Sequence, residues 1–305
     1  MMIETVIKWL SDNTDFRISG YFELGRGASG IVYKVVLENE PYVAAVKISK
    51  FPNLLKKEYL QIKYINDRID CKLPEIYDFY EMNDNLSFML MEYFDGISAD
   101  KIKFRRVKRK NKKLAEQITD NLLKLHSVHN CKFGPVDHAV YDSWYDYYSE
   151  FAKEIYDFAK QAYNDGKIKK KVFCAVEASY LKLDKILCGS TGEPTLIHGD
   201  YWLPNFIVND DTYDFMGCID PFNIMWAEPE YELFTLTVGR LSEKLNLYKI
   251  YKCKISPTEL CDLKSEMYAL YNELLWHKNL GLFNNNYLMF RSKRLLKQMK
   301  VNGLL

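Results

Sequence analysis

The chain has no C-x-x-C pair, no excess of either charge, no long apolar run and no repeat, and each absence removes a class of protein. Its seven cysteines (Cys71, Cys131, Cys174, Cys188, Cys218, Cys253, Cys261) are odd in number and scattered. They speak against a disulfide framework or a zinc site and fit reduced thiols. With 42 Lys and Arg against 41 Asp and Glu, there is no global electrostatic pull toward nucleic acid, and no such partner is expected. No run of about 18 apolar residues occurs, so no membrane span is expected. The opening "MMIETVIKWLSDN" mixes acidic and polar residues into a short apolar stretch, as an amphipathic helix does and a cleaved signal does not. A cytoplasmic protein is the expectation.

What remains is a globular composition, 305 residues with 48% hydrophobic and 27% charged, long enough for two lobes around separate cores. "GYFELGRGASGIVYKVVLENEPYVAAVKIS" predicts strand, glycine turn, strand, acidic turn, strand, with Val32, Val35, Val43 and Val46 supplying β-branched side chains. "PNLLKKEYLQIKYINDRI" switches to helical spacing, with Leu54, Leu55, Tyr59, Ile62 and Ile65 on one face. "LSFMLMEYFDG" returns to a strand closed by Asp95 and Gly96. Beyond Gly96 long helical patterns dominate, interrupted by two short apolar strands around "PTLIHGD…NFIVN" and "DFMGCID". The expected architecture is α+β and bilobal: an N-terminal antiparallel sheet plus helix over residues 1–95, and a mainly helical C-terminal lobe over 96–305.

Three constellations carry chemistry. Gly25, Gly27 and Gly30 have G-x-G-x-x-G spacing, which lets a strand-to-strand turn approach phosphate oxygens through backbone N–H groups. A flexible hairpin is the plain alternative, whereas a dinucleotide fingerprint would need a helix after the third glycine, and here a strand follows. Lys47 stands inside the strand "AAVKI", where a buried ammonium requires a partner. Either it snorkels from an edge strand, or Glu58 on the following helix reaches back to it. Finally, His198, Asp200 and Asn205 fit H-x-D-x-x-x-x-N, and Asp220 in "GCID" follows twenty residues after Asp200. If the two short strands pair as a hairpin, Asp200, Asn205 and Asp220 come to one end. Such oxygen donors suit Mg2+ rather than a soft metal.

This order of parts resembles the protein-kinase-like superfamily. "HGDYWLPN", "LLKLHSVH" and "AEPEYELF" narrow the resemblance to its aminoglycoside phosphotransferase and choline kinase branch, over about Gly20 to Leu233. The branch often carries G-D-P-x-x-D-L where this chain has Ala227, Glu228, Pro229, Glu230, Tyr231, Glu232 and Leu233. The resemblance implies that Asp200 is the base that orients or deprotonates the acceptor hydroxyl, and that Asn205 and Asp220 hold Mg2+. It implies that Lys47, braced by Glu58, touches the phosphates of ATP or GTP beneath the loop of Gly25, Gly27, Ser29 and Gly30. The hinge would run from Met91 to Phe94, with Glu92 and Phe94 at the nucleobase. His198 and Glu232 would support the catalytic loop.

Only the run from Asp220 to Pro229 separates the metal aspartate from the next element, so a platform for peptide substrates is not expected. The implied reaction is Mg2+-dependent transfer of the γ-phosphoryl group of ATP or GTP to a small hydroxylated acceptor. An antibiotic-inactivating enzyme, a choline, ethanolamine, sugar or amino-acid kinase, a protein kinase and a non-catalytic nucleotide-binding scaffold remain alternatives. Between Pro135 and Lys167, seven acids interleave with nine aromatic residues. That stretch is either a helix with an aromatic core face or part of a site for a cationic acceptor. The tail beyond Trp226, with twelve basic and eight acidic residues, argues against a polycation. Lys101 to Lys113 holds nine basic residues, a solvated stretch or an anion-attracting one.

Overall fold

A computed structural model describes residues 2–27, 30–83, 86–102, 108–188 and 192–305. By compactness the chain groups into two units, Met1–Gln117 with Leu203–Phe222, and Ile118–Trp202 with Asn223–Leu305. The expected division at Asp95 is a different partition, because it keeps Leu203–Phe222 with the helical part.

The first unit opens with α1 (Met2–Asn13), followed by β1 (Ile18–Arg26), β2 (Ile31–Leu37) and β3 (Val43–Ser49). Helix α2 (Pro52–Asn66) leads to β4 (Ile76–Asn83) and β5 (Leu86–Glu92). The strands form one antiparallel sheet in the order β1-β2-β3-β5-β4. Alternation along β2 explains its two faces: Tyr33, Val35 and Leu37 are buried, while Val32, Lys34 and Val36 are half-buried. The buried face packs with Ala44, Val46 and Ile48 of β3, Phe88 and Leu90 of β5, and Ile3, Val6 and Leu10 of α1. Helical spacing of those three α1 residues is what brings them onto the sheet, and each contributes about 1.5–3 kcal/mol by leaving water.

On α2 the buried positions are Leu55, Glu58, Gln61, Ile62 and Ile65. Leu54, expected on that face, is 48% exposed. The reason is angular: Leu55, Ile62 and Ile65 define the stripe, and Leu54 lies off it by a residue while Glu58 lies within it. A second sheet of this unit has the order β10-β9-β6, made from β6 (Ile97–Ser98), β9 (Phe206–Val208) and β10 (Phe215–Cys218).

In the second unit, β7 (Gly134–Pro135), β8 (Thr195–Ile197) and β11 (Met225–Ala227) pair in the order β7-β11-β8. Helix α3 (Lys108–Leu125) runs across the division between the units, and α4 (Trp144–Asn164), α5 (Lys170–Tyr180) and α6 (Leu183–Leu187) follow it. After a 3-10 segment at Pro229–Thr237 come α7 (Arg240–Leu245), α8 (Leu247–Lys252), α9 (Cys261–Leu280) and α10 (Asn285–Val301). Ser143 caps α4, its hydroxyl accepting from the Asp146 N–H at 3.1 Å. Trp144, Tyr148, Ala152, Ile155, Ala159 and Ala162 form the helix's buried stripe. Of the nine interleaved aromatics, Trp144 and Tyr148 are buried and Tyr141, Tyr147, Phe151, Tyr156, Phe158 and Tyr163 pack half-buried against the same core, whereas Tyr145 is exposed.

The fold class matches the expectation. Among the described residues, no helix is long and apolar enough to cross a membrane. The basic stretch is described at Lys101 and Ile102 and again from Lys108; residues 103–107 lie outside the described residues.

Candidate active site

In the first unit, Lys47 lies on β3, the central strand between β2 and β5. An edge-strand snorkelling lysine is therefore ruled out by topology. Its side chain is on the sheet face that α1 leaves free, opposite Val32 on β2 and Met89 on β5. Glu58, one turn from Leu55 and Ile62, carries its carboxylate down to that face. Lys47 Nζ donates to both Glu58 oxygens at 2.8 and 2.7 Å and to Asp220 Oδ1 at 2.7 Å.

The three side chains differ in exposure: 4% for Lys47, 10% for Glu58 and 44% for Asp220. Burial disfavours the Lys47 ammonium, yet the two carboxylates outweigh it and hold its pKa above the usual range. For Glu58, burial is the largest influence. Lys47 opposes it, Asp220 adds like-charge repulsion, and the carboxyl is pushed up to about 8.

Asp220 follows β10 with φ of 55°, in the left-handed region that aspartate tolerates better than most residues. The β9–β10 pairing matches Cys218 with Phe206, and the Ile219 N–H donates to the Asn205 carbonyl at 2.9 Å. Asn205, 8% exposed, and Asp220 are thus brought to one end of the same hairpin. These are hard oxygen donors. Among the described residues no three His, Cys, Asp or Glu side chains gather into a protein-only metal cage. Two side-chain ligands, with phosphate and water supplying the rest, is the usual Mg2+ arrangement, so the donor set fits that ion.

The glycines divide by environment. The Gly27 N–H donates to the Gly30 carbonyl at 2.9 Å and closes the turn. A Cβ at Gly30 would lie 2.3 Å from the Ile48 carbonyl oxygen, so backbone proximity demands glycine there. Gly25 and Gly27 have open space, leaving their backbone approachable. Ser29 lies outside the described residues.

At the expected hinge, the Glu92 N–H donates to the Glu75 carbonyl at 2.8 Å, and the Glu92 carboxylate accepts from the Glu75 N–H at 3.2 Å. The Glu92 side chain is therefore engaged with backbone. Phe94 packs its ring on Gly217, where an added Cβ would lie 2.3 Å from Phe94 Cε2. Lys34 holds its ammonium 4.3 Å from the centroid of the Tyr93 ring. An open cavity of about 360 Å³ is lined there by Lys34, Val43, Glu92, Tyr93 and Asp95 among others.

In the second unit, the loop after β8 carries His198, Gly199 and Asp200. Glu232 clamps it from beneath: its Oε2 accepts from the His198 N–H at 3.1 Å and its Oε1 from the Gly199 N–H at 2.6 Å. Gly199 has φ of 80°, the conformation that turns both amides onto one carboxylate. The His198 Nδ1 accepts from the Asp200 N–H at 3.3 Å, so this histidine supports the loop. His126 is 3.1 Å from Glu232 Oε2 through Nε2, and its Nδ1 lies 2.5 Å from the Tyr251 hydroxyl. Tyr251 was not anticipated; the second of two tyrosines in "LYKIYK" gives no sign of it.

The family model for the phosphotransferase enzyme family matches residues 23–248. The chain belongs to the phosphotransferase enzyme family. Family membership makes it a small-molecule phosphotransferase, as the motifs implied. A relative in Escherichia coli (strain K12), the uncharacterized protein YcbJ, is 24% identical over 232 residues, covering 74% of this chain and 75% of its own. Among solved structures, the phosphotransferase is similar to aminoglycoside phosphotransferase APH(4)-Ia, with a TM-score of 0.72, 15% identity and coverage of 97% and 99% of the two chains. It is also similar to a protein of Thermobifida fusca assigned as a fructosamine-3-kinase, with a TM-score of 0.70, 18% identity and coverage of 96% and 99%. A form of APH(4)-Ia that holds ADP and hygromycin B aligns with a TM-score of 0.71, 13% identity and coverage of 96% and 98%. At such identities these likenesses establish the fold.

Proposed function

We propose that this phosphotransferase moves the γ-phosphoryl group of a nucleoside triphosphate, ATP foremost, to a hydroxyl of a small acceptor with Mg2+ as cofactor. The observation that carries the reading is the buried Lys47 ammonium held between two carboxylates, one of which, Asp220, remains 44% exposed. A cation fixed on a sheet face beside an accessible carboxylate is what a metal-bound triphosphate requires.

In this reading Lys47 binds phosphate oxygens and Glu58 fixes the ammonium, so that little reorganisation accompanies charge transfer. Backbone N–H groups of the Gly25–Gly30 turn, Ser29 included, cover the phosphates. The strand end at Glu92 to Phe94 offers backbone groups to the nucleobase. Asn205 and Asp220 would hold Mg2+, which when bound neutralises phosphate charge. Asp200 orients the acceptor hydroxyl and receives its proton, and Glu232 and His198 hold the loop that carries it. The partition at Asp95 belongs to this proposal, with residues 1–95 binding the nucleotide and residues 96–305 carrying the catalytic, metal-holding and acceptor-binding groups.

A cationic acceptor such as an amino sugar, a glycated amine or choline suits the acids between Pro135 and Lys167, with Tyr145 as the exposed aromatic among them. The test is a coupled nucleotide-turnover screen with ATP and GTP over aminoglycosides, glycated amino acids, choline, ethanolamine, sugars and amino acids. Asp200→Asn should abolish acceptor-stimulated turnover while nucleotide affinity stays within about threefold. An undiminished rate in that variant would remove Asp200 from its role.

A further inference from the structure

The 3-10 segment Pro229–Thr237, with Glu228 at its N-cap, places three carboxylates at alternate positions, Glu228, Glu230 and Glu232, all buried. Only Glu232 touches the loop before Asp200. The other two meet Lys264 of α9, whose Nζ lies 2.8 Å from Glu228 Oε2 and 2.6 Å from Glu230 Oε2. Lys264 is 1% exposed. Glu230 also accepts from the Thr258 N–H at 2.6 Å and the Thr258 hydroxyl at 2.8 Å. Glu228 accepts from the Tyr268 hydroxyl, which in turn accepts from Trp144 Nε1 at 2.9 Å.

A 3-10 segment is held by few internal hydrogen bonds of poor geometry, so its register depends on what its side chains grip. Here two of the three carboxylates are gripped by one ammonium. The third, two residues farther on, must meet two successive amides with both oxygens.

We propose that Lys264 is a positioning residue for the Asp200 loop: by fixing Glu228 and Glu230 it sets the register at which Glu232 receives the His198 and Gly199 N–H groups. The link to catalysis rests on the phosphotransferase reading above, whereas the link to the loop does not. An aspartate at these sites would end one methylene short of the ammonium. The glutamates of "AEPEYELF" are thus matched to a lysine 36 residues beyond Glu228.

The experiment compares wild type, Lys264→Met, Lys264→Arg and the milder Glu230→Gln, all as the full chain. Two quantities are read: hydrogen exchange of the Leu196–Tyr201 segment by mass spectrometry, and Mg2+-dependent ATP turnover per folded molecule. In Lys264→Met the segment should exchange about tenfold faster, with the helical core of α4 unchanged. ATP kcat should fall with little change in KM for ATP, and Lys264→Arg should recover part of both. Glu230→Gln, which keeps Lys264 on Glu228, should speed exchange less and decides the matter if Lys264→Met does not fold. Unchanged exchange of the segment in a folded Lys264→Met, or in Glu230→Gln in its place, overturns the proposal. If Asp200→Asn leaves ATP turnover intact, the catalytic reading falls while the exchange result still judges the positioning role.

Discussion

Among the described residues two buried lysines each serve two carboxylates, one in each compact unit, and they differ in how far those carboxylates reach solvent. Around Lys264 every member is sealed: the side chains of Lys264, Glu228 and Glu230 are 1%, 2% and 5% exposed. Around Lys47 one member reaches solvent, Asp220 at 44%. Desolvation makes any such cluster costly to form and more costly to break from one side. A sealed cluster can only hold structure. One with an accessible carboxylate can exchange a partner, because an incoming cation meets Asp220 without unburying Lys47 or Glu58. The buried lysine alone is therefore not the mark of a site; the accessible acid beside it is.

The sharpest way to break this comparison is Asp220→Ala. Turnover should fall by about three orders of magnitude or more through loss of the metal ligand. Stability should fall by only about 1 kcal/mol, since Asp220 is the half-exposed partner and Lys47 keeps Glu58. Urea unfolding beside steady-state kinetics measures both. If Asp220→Ala costs as much stability as Lys264→Met, the distinction fails.

Lys264→Met should lower stability by about 3–5 kcal/mol, because two buried carboxylates lose their cation. The midpoint of thermal or urea unfolding reads this directly. Smaller still is the contrast within the glycine turn. Gly30→Ala should lose about 1–3 kcal/mol, because its Cβ meets the Ile48 carbonyl. Gly27→Ala, in open space, should stay within about 0.5 kcal/mol and act on nucleotide affinity instead.

The smallest effect is with pH. Glu58 stands near 8 in the folded chain against 4.5 when unperturbed, so the folded state holds its proton more tightly. Its contribution is complete below about 4.5 and is lost as pH rises through 8. Wild type, free of metal and nucleotide, should lose stability over that window. Glu58→Gln should show a flatter profile in urea titrations at pH 5, 6.5 and 8.

Much of this was readable before any coordinates, for physical reasons. β-Branched residues such as Val32, Val35, Val43 and Val46 between turn signals specify strands, and a lysine in the middle of such a strand demands a partner. Glu58 was identifiable because it shares the spacing of Leu55 and Ile62. Local pattern fails elsewhere. Strands of two or three residues, such as Gly134–Pro135 and Met225–Ala227, are too short to display a period. Leu54 shows that an apolar residue at the rim of a stripe can fall on either side. The resemblance assigned Glu232 of "AEPEYELF" to the catalytic loop, yet nothing near that stretch names Lys264, Thr258 or Tyr251. Pairing across tens of residues is set by how helices pack, which no short window contains.

The contact of Phe94 with Gly217 carries one more consequence. A Cβ at position 217 would collide with that ring and come within 2.8 Å of the Lys72 carbonyl oxygen. The strand that delivers Asp220 and the segment that ends the large sheet are therefore moulded to each other at the scale of one methyl group. Drift at codon 217 toward even the smallest side chain is closed, and shrinking Phe94 would not open it, because the Lys72 carbonyl oxygen belongs to the backbone.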